Sequence, residues 1–157
     1  MDSYFDNVQQ QCQRLLSSAP EAFKAGGYPE KWLGQLLLVE RMAVLRYQQE
    51  HCLACLLYGE QSATGYEKLV SEEQSHVALI GRMIRGLHAE LPEDMGMPKW
   101  LASMHRQSLE DLAQEDLCVK REMIAMLRNV RPLITQLLPQ YSADLDQLIC
   151  EEETHVH

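Results

Sequence analysis

One short motif occurs twice in this chain, as Glu73-Gln74-Ser75-His76 and as Glu152-Glu153-Thr154-His155. Residues three apart on a helix share a face, about one turn from each other, so each copy sets a carboxylate beside an imidazole. A further glutamate precedes each copy on an upstream segment, Glu40 before the first and Glu115 before the second. One glutamate from each of two helices, with a Glu-x-x-His from each of two others, is how a four-helix bundle holds two metal ions in its core.

The rest of the chain supports helices. Apolar residues recur at helical spacing, and no strand-like alternation persists over a useful window. The expected class is all-α, one domain of 157 residues with a single core. Residues 1–27 read as an N-terminal helical extension and 29–157 as a four-helix bundle of two helix pairs. The extension holds a short helix, Ser3 to Ser17, broken by Ala25-Gly26-Gly27. Pro29 is well placed to open the next helix, which carries Leu36, Glu40, Ala43, Tyr47 and Ala54 on one stripe and ends at Gly59. Ser62 is the expected cap of the following segment, which bears Leu69, Glu73, His76, Ile80 and Met83 on one face and stops near Leu91-Pro92. The next opens at Pro98 and aligns Leu101, Met104, Leu112, Glu115 and Cys118, ending near Asn129. Pro132 and Pro139 bracket a less regular stretch, and a last helix carries Leu145, Leu148, Glu152 and His155.

Glu40 leads Glu73 by 33 residues and Glu115 leads Glu152 by 37. The difference is about one helical turn, which reads as a duplicated helix pair. Four carboxylates and two imidazoles facing inward would be costly to bury without compensating cations. Two divalent ions would bring such a site near neutrality, and oxygen and imidazole donors suit iron or manganese, with zinc also possible. Glu73 and Glu152 would bridge the ions, Glu40 and Glu115 would be terminal ligands, and His76 and His155 would each take one. Glu122, two turns past Glu115 on nearly the same face, is the alternative third-segment ligand.

Composition narrows the function. A net charge of −9 argues against coating nucleic acid and fits a protein that attracts cations. No apolar run reaches the length of a membrane span, and the start does not resemble a signal peptide, so the expected location is the cytoplasm. Five cysteines are an odd number spread over helical segments, not a disulfide framework. Cys52-Leu53-Ala54-Cys55 lacks a partner pair, and free buried thiols are the expectation.

With these residues in view, the chain resembles the ferritin-like proteins, bacterioferritin and its dodecameric relatives most of all. Glu40, Ala43 and Tyr47 match the family's first-helix pattern, the 33-residue step to Glu73 matches, and the last motif is an acidic cluster ending in His155. The resemblance covers about Leu36 to the C-terminus. It implies a di-iron ferroxidase centre in which O2 or H2O2 oxidises Fe(II) for storage or detoxification, in a homo-oligomer of at least two chains. Tyr47 would lie beside the metals and could supply an electron. The family's interfacial haem uses a methionine directly after the first motif's glutamate; Gln74 stands there, so no haem of that type is expected. Two residues follow His155, so a short last helix is expected, which argues against a closed 24-subunit cage.

Two other functions fit the same ligands. One is a di-metal oxidoreductase, either a rubrerythrin-like peroxidase or an oxygenase whose substrate pocket Met42, Leu45, Ile80 and Met83 would line. The other is a bundle that holds metal for stability alone. Cys118 and Cys150, close in sequence to Glu115 and Glu152, could approach the metals in any of these.

Overall fold

The computed structural model describes residues 10, 29–92 and 107–157. Those residues form four α-helices, α1 (Pro29–Tyr58), α2 (Glu60–Gly86), α3 (Leu109–Leu137) and α4 (Ser142–His155), with a 3₁₀ turn at Pro139–Tyr141 before α4. No strand occurs among them. Gln10 is helical, and the rest of the expected N-terminal helix, like the expected start at Pro98 with Leu101 and Met104, lies outside the described residues.

Helix α1 runs from Pro29 to Tyr58, close to its expected bounds. It gives way directly to α2 at Gly59, whose φ of 87° is open to a residue without a Cβ. Helix α2 therefore starts at Glu60 rather than at a Ser62 cap, and the Ser62 hydroxyl donates to Tyr58 O instead. It ends at Gly86, five residues earlier than expected. Ser108 caps α3, accepting the Asp111 amide at 3.1 Å.

The proline at 132 does not end α3, which continues through it to Leu137. A proline inside a helix removes one amide donor and crowds the preceding turn, at about 3 kcal/mol. Buried Ile134 and Leu138 beyond it hold the last turn against the core and offset that cost.

Helix α1 packs along α2, and α3 packs along α4, so two hairpins share one core. The apolar end holds Trp32, Leu33, Leu36 and Leu37 of α1, Ile80 and Ile84 of α2, Met126 and Leu127 of α3, and Leu148 of α4. Each such side chain contributes roughly 1.5–3 kcal/mol when fully buried. Met42, Ile80 and Met83, expected to line a substrate pocket, are part of this packed core, with Leu45 half-buried against it. Toward the other end of α1 the inward positions turn polar, at Glu40, Arg46 and Glu50.

Candidate metal centre

Midway along the bundle all four helices direct ionisable groups at one point. Helix α1 brings Glu40, α2 brings Glu73 and His76, α3 brings Lys120, and α4 brings Glu152 and His155. Glu40, Glu73 and Glu152 are fully buried, and His76 and Lys120 nearly so. One ligand atom from each of Glu40, Glu73, His76 and Glu152 lies within 4.8 Å of the others. Ligands around a single ion sit about 2 Å from it, so these four need only a small inward shift to share one.

The two imidazoles are held alike. His76 turns Nδ1 inward, 3.0 Å from Glu152 Oε1 and 3.9 Å from Glu40 Oε2 and Glu73 Oε2. Its Nε2 meets Glu151 Oε2 at 2.8 Å. His155 turns Nδ1 toward Glu73 Oε1 and Glu152 Oε2, at 3.4 and 3.5 Å, while its Nε2 meets Glu72 Oε2 at 2.5 Å. The outer carboxylates are reciprocal: the residue before Glu152 holds the histidine of the first motif, and the residue before Glu73 holds that of the second. A carboxylate that takes the Nε2 proton fixes the tautomer and leaves the Nδ1 lone pair pointing into the centre.

Lys120 enters from α3, with Nζ 2.5 Å from Glu73 Oε1 and 2.6 Å from Glu152 Oε2. Burial alone would raise Glu73 and Glu152, but the Lys120 charge and hydrogen bonds with both histidines outweigh it. Glu73 is held well below the usual carboxylate range and Glu152 at about 2. Glu40 goes the other way, pushed up by burial and by the charges of Glu73 and Glu152. Burial lowers His76 and His155, yet hydrogen bonds with Glu152 and Glu73 carry them up to about 11 and about 9. Neither oxygen of Glu40 accepts a hydrogen bond. A fully buried carboxylate without a donor is a costly arrangement that a cation would relieve.

Five of the six ligands expected from the sequence thus meet here: Glu40, Glu73, His76, Glu152 and His155. Glu115 does not. Its carboxylate takes Arg46 Nη2 at 2.9 Å and Gln107 Nε2 at 2.8 Å. Glu122, the alternative, is half-buried and has no part in the cluster. The buried stripe of α3 is Leu112, Asp116, Val119, Lys120 and Met123, so the stripe read through Glu115 and Cys118 is one residue out of phase. Cys118 and Cys150 are exposed free thiols, as is Cys52, and Cys55 is half-buried; Cys12 lies outside the described residues. The expectation of buried thiols fails for these, and Cys118 and Cys150 face away from the centre.

Lys120, Glu72 and Glu151 also contact the cluster, and none of them was among the residues expected there. The doubled acid in Glu72-Glu73 and Glu151-Glu152 was a usable signal for two of them. For Lys120 the signal was spacing, since it precedes Glu152 by 32 residues, nearer than Glu115 to the 33 that separate Glu40 and Glu73.

Tyr47 is buried, and Lys120 Nζ lies 5.7 Å from its ring centroid. A cavity of about 360 Å³ adjoins the centre on this side, lined by Tyr47, Tyr66, Leu69, Leu117, Lys120 and His155 among others. Beyond it a second buried cluster surrounds Arg46, whose Nε lies 3.2 Å from Asp116 Oδ1 and 3.5 Å from Glu50 Oε1, and whose Nη2 also donates to Leu112 O.

No family model matches this chain, and no curated protein or solved structure matches it. No helix among the described residues is long and apolar enough to cross a membrane.

Proposed function

We propose that this chain is a ferritin-like, metal-dependent oxidoreductase of the ferroxidase type, oxidising Fe(II) with O2 or H2O2 at the Glu40–Glu73–His76–Glu152 centre. The observation that carries it is Glu40, a fully buried carboxylate with no hydrogen-bond donor, set among three further ligand groups. Oxygen and imidazole donors without a thiolate favour iron or manganese over softer metals. A bound redox-active metal would supply the one-electron chemistry and the site for oxygen.

The protein's own part is binding and control. Glu40, Glu73 and Glu152 supply charge, His76 Nδ1 supplies a neutral donor once its proton leaves, and Glu151 and Glu72 orient the two rings. Burial excludes bulk water and strengthens each electrostatic contact. Tyr47 is close enough to Lys120 to feel the charge state of the centre, and an electron from its ring is the role proposed for it.

The test is oxidation of Fe(II) loaded without oxygen and then exposed to it, followed by ferric absorbance against the iron-to-chain ratio. Oxidation faster than in buffer, and lost in Glu73→Gln, is the expected result; a rate equal to buffer would overturn the reading. Oxidation far past the capacity of the centre, with soluble product, would indicate iron storage. A second reading, an oxidoreductase acting on a small organic molecule, is favoured by the largely apolar cavity between Tyr47, Lys120 and His155.

A further inference from the structure

The centre has two sides, and they are not alike. On the first, Glu40 Oε2, Glu73 Oε2 and Glu152 Oε1 all face His76 Nδ1. On the second, the remaining oxygens Glu73 Oε1 and Glu152 Oε2 face His155 Nδ1, and the Lys120 ammonium sits between them. Two bridging carboxylates and one terminal histidine are what a second metal ion would require there. A cation is already in that position, and it is covalently part of the chain.

Resting on the metal reading above, we infer that the centre takes one divalent cation, on the Glu40–His76 side, and that the Lys120 ammonium stands in for a second ion on the His155 side.

Three independent observations support this. The first is steric. Nζ lies 2.5 and 2.6 Å from the two oxygens a second ion would need. An ion bound to those oxygens at about 2.0–2.2 Å would overlap the ammonium. Lys120 is 3% exposed, and its ammonium is held by both carboxylates rather than turned into the cavity that its side chain lines.

The second is charge. As ligands, with Glu40 ionised and both imidazoles neutral, the fully buried acids Glu40, Glu73 and Glu152 would bring three negative charges against one on Lys120. One divalent ion cancels the remaining two, whereas a second would leave excess positive charge in a medium that solvates it poorly.

The third is the internal repeat. Lys120 stands 32 residues before Glu152, and Glu40 stands 33 before Glu73. Each helix pair therefore sends one residue into the centre at nearly the same offset from its Glu-x-x-His motif. In the first pair that residue is an acid, and in the second it is a base. The halves of the centre are a ligand half and a counter-ion half.

The experiment counts ions. Mn(II) is the probe, because it prefers oxygen and nitrogen donors and so avoids the exposed thiols. Full-length protein, freed of metal by chelation, is equilibrated with Mn(II), separated from free ion and assayed for bound manganese per chain. The expected count is one in the wild type. Lys120→Glu, prepared with Mn(II) present, should bind two, since it restores a fourth carboxylate and removes the ammonium. Lys120→Met is the second variant: it removes the charge at similar volume and should also rise above one as Mn(II) is increased. Two ions in the wild type would overturn this inference while leaving the metal reading intact. A count held at one in both folded variants, judged by circular dichroism, would also overturn it. No bound ion in any of the three would overturn the metal reading and this inference together.

Discussion

The Arg46 cluster on α1 and α3 and the Lys120 centre on all four helices each set acids around one buried base, and they resolve their excess acid differently. At Arg46 the guanidinium reaches Asp116, Glu115, Glu50 and a backbone carbonyl, and the deepest acid yields: burial and the neighbouring Asp116 push Glu50 up to about 10. Asp116 is raised as well, chiefly by burial. At Lys120 the two carboxylates in contact with the ammonium stay ionised, Glu152 at about 2, and the strain falls on Glu40. A cluster that neutralises its acids with protons is complete as a structural unit. One that keeps two acids ionised, with a third acid and an imidazole converging on them, is suited to a cation.

Removing the cation from each cluster tests the contrast most severely. Lys120→Met leaves Glu73 and Glu152 buried and ionised, which is expected to cost roughly 3–5 kcal/mol in metal-free protein. Arg46→Met should cost less, about 2 kcal/mol, because Glu50 and Asp116 are already raised and can protonate. Urea denaturation with chelator present would measure both. Equal losses, or a larger one at Arg46, would erase the distinction.

Glu40→Gln separates binding from packing. Glutamine is close in shape to the protonated Glu40 that burial and the neighbouring carboxylates favour, so metal-free stability should hold. The stabilisation by added Mn(II), about 2.7 kcal/mol at a hundredfold excess over the dissociation constant, should largely disappear. A variant that kept the full metal-dependent rise in Tm would show that Glu40 is not a ligand. The matching rise should survive in Glu50→Gln.

The pH dependence of Glu50 gives a smaller and graded effect. Its folded value, about 10, lies above the ordinary 4.5, so the folded state holds a proton that the unfolded chain has released between those limits. The stability it contributes is fully present below pH 4.5 and is lost as pH rises through about 10, with an upper slope of about 1.4 kcal/mol per pH unit. Glu50→Gln should therefore gain on the wild type as pH increases from 5 to 8. Parallel Tm profiles for the two proteins would mean that Arg46 keeps Glu50 ionised. At the bottom of the scale, Arg131→Ala breaks an exposed pair with Asp146 and should leave the denaturation midpoint unchanged.

How much of this could be read from the chain depended on whether burial leaves an apolar trace. The α1 stripe of Leu36, Glu40, Ala43 and Tyr47 was legible because apolar neighbours flank the glutamate on the same face, and both Glu-x-x-His motifs were legible by repetition. On α3 the inward face carries Asp116 and Lys120 between Leu112 and Met123. Two buried charges in the stripe blank the hydrophobic signal there, and Cys118, counted as apolar, drew the phase one residue away. Pro132 misled for a different reason: local propensity disfavours a helix through it, but the apolar contacts of Ile134 and Leu138 are tertiary and invisible to a local reading. The clasping roles of Glu72 and Glu151 depend on pairings across 83 and 75 residues, which no window along the chain contains.

Those two clasps also bear on the order of events when the chain folds. Each joins α2 to α4, so each closes a loop far longer than either hairpin, and such contacts form after the local helix pairs have collapsed. The candidate metal ligands on α4 reach their partners on α1 and α2 at that same late stage. An ion that binds only the assembled centre then acts on the escape from the native state: it should slow unfolding while leaving the refolding rate nearly as it was.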